Sequence, residues 1–256
     1  MNDHEGRLDR LTSVLRRRGV ILPAFEIHGG IAGLYDFGPI GGRLRRNVKN
    51  EWLNHWAKHG DIVEIDSPTI TPESVLIASG HVGEFNDYLS ECNSCNSVFR
   101  SDHLVDQFHE NPEILSPTEI DELMSMHNIS CPSCNSSDWQ QPRPMNLMFN
   151  TRVGAMKGGR AAYMRPETAQ GMFMLFPALY RHFRNRLPFG AMQSGKGYRN
   201  EISPRQGMIR LREFNMAELE YFIDPSIEPN HNFSKWVDFR TDTQLANLFF
   251  LSNKIA

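Results

Sequence analysis

The sequence predicts an α+β protein, with an antiparallel sheet flanked by helices. Two segments in which apolar and polar residues alternate, 189–202 and 208–223, are joined by SPRQG, whose proline and glycine are typical of a hairpin turn. Two other segments, 6–18 and 43–59, carry apolar residues at helical spacing. The glycine-rich segment 28–42 has neither a G-x-G-x-x-G motif nor a P-loop lysine, so it does not indicate a Rossmann fold.

The first part of the chain predicts helices, a close turn and a strand. The amphipathic helix over 6–18 is closed by Gly19. In segment 28–42 we expect a turn whose small residues let the backbone pass close to another element. A strand is predicted in DIVEIDSPTITP. The helix over 43–59 is indicated by apolar residues at four-residue steps, namely Leu44, Val48, Trp52 and Trp56.

Composition changes between about 89 and 145, where Ser, Asn, Cys and Pro accumulate. We interpret this stretch as an inserted module with one helix, in SPTEIDELMSMHN, capped by Ser116 or Thr118. Core-like sequence returns in MNLMFNTRVG and in AAYMRPETAQGMFMLFPALYRHF, which predicts a strand followed by a helix. The expected division is therefore 1–88, the module at 89–145, and 146–256.

The four cysteines form two C-x-x-C pairs, CNSC and CPSC. In a reducing compartment such pairs indicate a metal site before they indicate disulfides. The pattern predicts one tetrahedral zinc ion held by Cys92, Cys95, Cys131 and Cys134. Four thiolates leave no open coordination position, so the zinc is expected to be structural. The alternative is four unrelated buried cysteines.

Charge and hydropathy exclude some classes of protein. The net charge of −3 gives no global basic field, so a nucleic-acid partner would be held by local patches. No apolar run approaches the ~20 residues that span a bilayer, so no membrane partner is expected. The polar start, MNDHEGRLDRL, lacks the apolar core of a signal peptide, and we expect a cytoplasmic protein.

The hairpin carries charges of both signs among apolar residues. On a strand, Arg199 and Glu201 would share a face, where the arginine can clamp a phosphate and the carboxylate can accept from an amine. Phe214 offers a ring for a flat heterocycle, and Glu218 and Glu220 again share a face. These groups fit ATP together with an amino acid. A salt-bridge ladder on an exposed sheet explains the same residues equally well.

YRNEISPRQGMIRLREF resembles motif 2 of the class II aminoacyl-tRNA synthetases. YMRPETAQGMF, FRSDHL, MNLMF and ASGHVGEFND together resemble the glycyl-tRNA synthetases of the archaeal and eukaryotic dimeric type. The similarity runs from LYDFGPIGGRLRRNVKNEW to EYFIDP, with Met145 where the family's FNLMF has phenylalanine. It implies a class II catalytic fold with a zinc-knuckle insertion. It also implies a homodimer, formed through the motif 1 helix at 43–59 and the strand and prolines that follow.

The resemblance implies roles for the matching residues. Arg199 matches the catalytic arginine that holds the ATP α-phosphate and the amino-acid carboxylate, and Arg205 lies where the family's loop meets the tRNA acceptor end. Glu167 and Glu218 match the carboxylates that bind the glycine ammonium group, with Arg165 and Gln170 shaping the pocket. The implied ATP-binding residues are Arg199, Asn200, Glu201, Ile209, Arg210, Leu211, Arg212, Glu213 and Phe214, the last stacking on adenine. The implied glycine-binding residues are Arg100, Glu167, Phe214, Asn215, Met216, Ala217 and Glu218.

The implied activity is ATP-dependent formation of glycyl-adenylate and transfer of the glycyl group to tRNA(Gly), with Mg²⁺ accompanying ATP. Positioning and charge neutralisation by Arg199 would serve this reaction without a covalent nucleophile. The family's third motif, its Mg²⁺-binding acidic residues and its anticodon-binding domain are not found, so the chain is expected to be a fragment or a shortened form. Two alternatives stay open: a silent class II paralogue acting as an accessory subunit, and a zinc-containing RNA-binding module.

Overall fold

The computed structural model describes residues 3–155, 158–204 and 208–224. Its helices are α1 (Asp3–Arg17), α2 (Pro39–Ala57), α3 (Glu73–Ala78), α4 (His81–Glu84), α5 (Ser101–Val105), α6 (Pro117–Met126) and α7 (Ala169–His182). Its strands are β1 (Ile21–Pro23), β2 (Tyr35–Phe37), β3 (Ile62–Glu64), β4 (Ile70–Pro72), β5 (Asn86–Glu91), β6 (Val98–Arg100), β7 (Arg143–Asn146), β8 (Asn150–Val153), β9 (Arg160–Met164), β10 (Phe189–Tyr198) and β11 (Glu213–Phe222). No helix in these ranges is long and apolar enough to cross a membrane.

The strands form small sheets rather than one broad sheet. Within the described ranges the strand orders are β1-β2, β11-β10-β3, β4-β9-β8 and β6-β5-β7. Every pairing is antiparallel except that of β3 with β10, which is parallel. The predicted α+β class with antiparallel strands and flanking helices is confirmed, whereas the boundaries of the three expected segments stay a prediction.

The predicted hairpin exists, but its strands are shorter than the sequence suggests. β10 ends at Tyr198, opposite Glu213, so the described residues of the loop at 199–212, namely 199–204 and 208–212, lie outside both strands. The backbone N–H of Asn200 donates to the carbonyl of Leu147 at 2.6 Å, and that of Arg212 to Gly33 at 2.8 Å. These two N–H groups bind residues far away in the chain instead of the neighbouring strand of the hairpin. Arg199 and Glu201 therefore do not project together from one strand.

One face of the hairpin is divided between core and site. Phe189, Ala191 and Phe222 pack against α7 through Met172 and Leu179. Further along the same face the pairs Gln193–Glu218 and Gly197–Phe214 lie beyond the first turn of α7. The period of two therefore places apolar residues under the helix, and the same face continues through Gln193, Glu218 and Phe214 towards the site.

The segment between β5 and β7 has its own apolar core. Cys92, Phe99, Ile120 and Cys131 are buried in it with Val105. Its helix α6 begins at the capping box of Ser116, whose backbone N–H and hydroxyl both donate to the Glu119 carboxylate at 2.8 and 2.7 Å. The cap predicted at Ser116 or Thr118 is therefore Ser116.

The glycine-rich segment crosses another part of the backbone at close range, as predicted. A Cβ on Gly41 would overlap the carbonyl oxygen of Val20, whereas a Cβ on Gly42 would meet nothing nearer than the Phe37 carbonyl oxygen at 3.8 Å. Both glycines lie in α2, where alanine is intrinsically preferred.

We therefore expect opposite results from two neighbouring substitutions in α2. Gly41→Ala should destabilise the fold by about 1–3 kcal/mol, because the backbone of Val20 must move. Gly42→Ala should leave stability unchanged or raise it by up to about 1 kcal/mol. Urea unfolding of both variants checks this, and equal effects would contradict the close crossing.

Candidate amino-acid and nucleotide site

Glu218 and Glu167 lie at the N-terminal end of α7. The Glu218 carboxylate accepts from the backbone N–H of Thr168 at 2.7 Å and also from the Thr168 hydroxyl. Glu167 accepts from the Gln170 side-chain amide at 2.7 Å, and its Oε1 lies 3.5 Å from Nε2 of His81. The turn that starts α7 therefore fixes one carboxylate through its backbone and carries the other itself.

This end of the site has an acidic electrostatic character. Burial raises the pKa of Glu220, and the carboxylates of Glu218 and Glu167 raise it further. The carboxylates of Glu218 and Glu167 thus lie close enough to repel the charged form of Glu220. A bound cation would relieve that repulsion, so this end suits an ammonium group.

Arg199 lies at the opposite end of the site, between aromatic rings. Its guanidinium carbon is 5.3 Å from the ring centre of Phe85 and 5.4 Å from that of Phe214. Within the described residues its buried Nε has no hydrogen-bond partner. A buried donor held by rings and left unpaired is a binding group for an anion. Phe214, predicted to stack on adenine, contacts this arginine in the structure.

Glu201 and Arg100 belong to a buried network of charges beside Arg199. Arg100 binds Asp102 at 3.0 and 2.5 Å and forms an ion pair with Asp87 at 2.7 Å. Burial lowers the pKa of Arg100, but the two aspartates outweigh it and the pKa lies above its usual value. Burial raises the pKa of Glu201, which Arg210 at 4.0 Å offsets only in part. The guanidinium of Arg100 is therefore already bound to Asp102 and Asp87.

Arg212 holds the loop at 199–212 to the glycine-rich segment. Its Nη1 donates to the carbonyl of Ala32 at 2.8 Å, and its Nη2 donates to the carbonyl of Glu201 at 2.9 Å. A Cβ on Gly33, whose φ is +79°, would lie 2.9 Å from Cγ of Pro204. The side chain of Arg212 thus positions the loop rather than reaching into open space.

The floor between the two ends is made of glycines on β10. A Cβ on Gly195 would overlap the guanidinium of Arg165, which is 4% exposed. That guanidinium donates to the carbonyls of Lys196 and Ser67, each at 2.8 Å. A Cβ on Gly197 would lie 2.8 Å from the ring of Phe214. The absent side chains leave the space that Arg165 and Phe214 occupy.

The structure brings together most of the predicted site residues, and it separates some. Met216 follows Phe214 on the inner face of β11, whereas Asn215 and Ala217 lie on its other, exposed face with Glu213. The remaining predicted residues of the loop are Asn200, Ile209, Arg210 and Leu211, of which Ile209 is 67% exposed. Arg205 lies outside the described residues.

The sequence patterns assigned no binding role to His81, Phe85 or Thr168. All three contact a predicted site residue, as the distances above show, yet none carries a charge pattern of its own. The first two lie in ASGHVGEFND, a segment that the family resemblance singled out without assigning it a role. The resemblance of this segment to the family was therefore the one indication that His81 and Phe85 lie near the site.

The four cysteine sulfurs converge at the other end of β6. Their Sγ atoms lie within 4.8 Å of one another, with Cys92–Cys134 at 3.6 Å and Cys95–Cys131 at 3.7 Å. A tetrahedral ion with Zn–S bonds of about 2.3 Å requires sulfurs roughly 3.8 Å apart. Hydrogen bonds from Ser97 lower the pKa of Cys95 to about 6, whereas burial and hydrogen bonds with the other thiols raise the pKa of Cys134 to about 12. The set fits a metal ion.

Two matching turns build this cluster. The sequence reads C-x-S-C-N-S at 92–97 and again at 131–136, a short repeat. Asn96 and Asn135 both adopt left-handed backbone, with φ of 56° and 61°. Their backbone N–H groups donate to the carbonyls of Cys92 and Cys131 at 2.9 and 2.8 Å. Each turn presents its pair of sulfurs in the same way.

Comparison with known proteins identifies the fold and the relatives. Residues 120–240 match the tRNA synthetase class II core domain (G, H, P, S and T). A solved prolyl-tRNA synthetase from Giardia lamblia, in complex with prolyl-adenylate, aligns with a TM-score of 0.53 at 17% identity and covers 91% of this chain and 34% of its own. At that identity the likeness supports the fold alone.

Curated relatives give the family. The chain is 48% identical over 231 residues to a glycine–tRNA ligase of Methanococcus maripaludis (strain C5), covering 90% of this chain and 40% of that protein. It is 47% identical over 226 residues to the glycine–tRNA ligase of Methanocaldococcus jannaschii, covering 88% and 39%. The chain thus spans about two fifths of the length of the relatives it matches. Residues 120–240 carry the class II aminoacyl-tRNA synthetase core domain, and the relatives that the chain matches over nine tenths of its own length are glycine–tRNA ligases.

Proposed function

We propose that this chain carries the amino-acid activation site of a glycine–tRNA ligase, which forms glycyl-adenylate from glycine and ATP and transfers the glycyl group to tRNA(Gly) for protein synthesis. The observation that carries the proposal is the 48% identity to a glycine–tRNA ligase over 90% of the chain. The site adds a chemical reason, because it offers carboxylates at one end and an arginine at the other, as a zwitterionic amino acid requires. We also propose the cytoplasm as its location, where free thiols stay reduced.

In the proposed first step a carboxylate oxygen of glycine attacks the α-phosphorus of ATP. The bond from the α-phosphorus to the bridging oxygen breaks, and pyrophosphate leaves with that electron pair. Glu167 and Glu218 would bind the ammonium group, and Arg199 would hold the carboxylate against the α-phosphate. The unpaired Nε of Arg199 supports this role, since it lacks an acceptor within the described residues.

In the proposed second step a terminal hydroxyl of the tRNA attacks the carbonyl carbon of glycyl-adenylate. The bond to the adenylate oxygen breaks, AMP leaves, and the hydroxyl proton is released. ATP is expected to arrive as its Mg²⁺ complex, because Mg²⁺ in nucleotide sites is held largely by the substrate phosphates and by water. The Mg²⁺ ion would therefore enter the site as part of the substrate.

Selection of glycine would work by exclusion. A pocket cannot grip a missing side chain, whereas carboxylates fixed close to the α-carbon leave no space for an added methyl group. The hydrogen bonds to Thr168 and Gln170 hold the carboxylates of Glu218 and Glu167 in place. The rigidity of these carboxylates supports a preference for glycine over alanine and serine.

For the four-cysteine cluster we propose a structural zinc ion. Cys92 and Cys131 are fully buried in the core of the segment between β5 and β7, so the ion would be part of that core. With four sulfur ligands it would have no position open for a substrate. The ion would stabilise the position of β6, the strand that links the cluster to the site.

Glycine-dependent ATP–pyrophosphate exchange by the purified chain tests the proposed function. Exchange with glycine, and none with alanine or serine, is the expected result. A folded, zinc-loaded sample that exchanges with none of the three would contradict activation by this chain. Salt-dependent tRNA binding in that same sample would instead favour the RNA-binding module.

We further propose that the chain forms a homodimer through α2. Ile40, Leu44 and Val48 recur at four-residue steps on this helix and are 63%, 60% and 50% exposed. An apolar stripe of this kind on a helix surface is typical of a protein interface. The family resemblance of this helix to motif 1 supports the same assignment.

Leu44→Asp is expected to convert the dimer to a monomer, since it places a charge within the stripe. Asn50→Asp adds the same charge about 120° around α2 from Leu44 and should leave the dimer intact. Light scattering coupled to size exclusion measures both masses. A monomeric unmodified chain, or a dimeric Leu44→Asp variant, would refute the interface.

A further inference from the structure

The segment 79–86 connects the two ends of the site, although the proposed reaction assigns it no role. It consists of the single turn of α4 and its flanks, and it carries His81 and Phe85 four residues apart. Their rings lie 5.5 Å apart on the same side of the turn. One ring contacts the acidic end of the site, and the other contacts its arginine.

His81 is held so that one ring nitrogen faces Glu167. Its Nδ1 lies 2.9 Å from the hydroxyl of Ser79, which gives that nitrogen a partner. Its Nε2 lies 3.5 Å from Oε1 of Glu167 and faces that carboxylate. The imidazole is 14% exposed, so little water competes for this contact. With Gln170 on the same oxygen at 2.7 Å, Glu167 is held from both sides.

Phe85 supports Arg199 in a comparable way. Its ring centre is 5.3 Å from the guanidinium carbon, on which Phe214 also packs. Phe85 belongs to a small apolar cluster with Leu89, Leu147 and Ile202, so its ring is itself fixed by packing. An aromatic face positions a guanidinium without occupying its hydrogen-bond donors. Arg199 thereby keeps donors free for a ligand.

We propose that His81 and Phe85 are positioning residues for the two ends of the bound amino acid. His81 orients Glu167 for the ammonium group, and Phe85 orients Arg199 for the carboxylate and the α-phosphate. Because α4 begins at His81 and is capped by Phe85, this turn sets the separation between the two binding groups. This inference rests on the proposed activation of glycine, and it names the residues that hold Glu167 and Arg199 in position for that reaction.

Two substitutions should separate these roles in glycine-dependent exchange. His81→Ala should raise the KM for glycine about tenfold and leave the KM for ATP within about twofold, because only the ammonium end loses a contact. His81→Gln keeps a donor near Nε2 and should recover part of the loss. Phe85→Leu should lower kcat about tenfold, and Phe85→Tyr should recover it, because Arg199 serves both substrates.

Glu84→Gln is the matched control, since Glu84 is exposed on the same turn. It should behave as the unmodified chain. The inference would be overturned if the KM for glycine in His81→Ala and the kcat in Phe85→Leu were within twofold of this control. It would also be overturned if His81→Ala raised the KM for glycine and the KM for ATP equally and His81→Gln recovered neither. Absence of exchange in the unmodified chain would instead refute the proposed function, and this inference with it.

Discussion

Arg199→Ala is expected to lower kcat/KM for glycine-dependent exchange by about a thousandfold. A preorganised donor to charge that develops in the transition state is worth roughly 10²–10³ in rate, and Arg199 would serve the glycine carboxylate as well. The loss should fall on kcat more than on the KM for ATP, since the charge on the α-phosphate grows as the bond to pyrophosphate breaks. Initial rates over a matrix of glycine and ATP concentrations measure this division.

Arg199→Lys is the informative companion. It keeps the positive charge but loses the planar guanidinium that packs on Phe85 and Phe214. We expect it to recover less than a tenth of the lost activity. Melting temperatures of all three proteins show whether folding is affected. Full activity in Arg199→Ala, with an unchanged melting temperature, would exclude Arg199 from the reaction.

Removal of the metal is expected to unfold the segment between β5 and β7. Structural zinc sites in small modules bind with apparent free energies of about 10–16 kcal/mol, and here two of the ligands lie inside the apolar core. A chelator or Cys131→Ser should therefore abolish the near-ultraviolet signal of Trp139, which packs against that core. Metal analysis should find one zinc per chain before treatment.

The same loss should reach the substrate site through β6. This strand follows Cys95 closely, and the carbonyl of Val98 accepts from the hydroxyl of Ser203 at 2.5 Å in the loop at 199–212. We expect the KM for ATP to rise on metal removal. Ser133→Ala, an exposed change beside the ligands, should keep zinc and activity. An unmodified chain without zinc, or a Cys131→Ser variant with unchanged folding, would refute the metal centre.

Short-range patterns predicted the helices and the cysteine cluster well. The apolar spacing of 43–59 appears as α2, the cap at Ser116 begins α6, and RPETAQ leads into α7. These features depend on residues within a few positions of one another. The four sulfurs converge because two short turns each present a pair, which spacing alone indicates.

The loop at 199–212 was beyond sequence reasoning because its partners are distant in the chain. Leu147 takes the hydrogen bond of Asn200, and Gly33 takes that of Arg212. Alternation of apolar residues continues through this loop, so it predicts strands where residues 199–204 and 208–212 form none. His81 was missed for a similar reason, since nothing near it in sequence indicates that Glu167 lies beside it.

The contact between Arg212 and the glycine-rich segment has a consequence for how this segment tolerates mutation. The guanidinium binds the carbonyl of Ala32, which every amino acid possesses, and the backbone N–H of Arg212 binds that of Gly33. Most replacements of Ile31 and Ala32 should therefore preserve the contact. Replacement of Gly33 should not, because its φ is +79° and a Cβ there would lie 2.9 Å from Cγ of Pro204. In a saturation library, we expect selection to leave positions 31 and 32 permissive and to restrict position 33 to glycine.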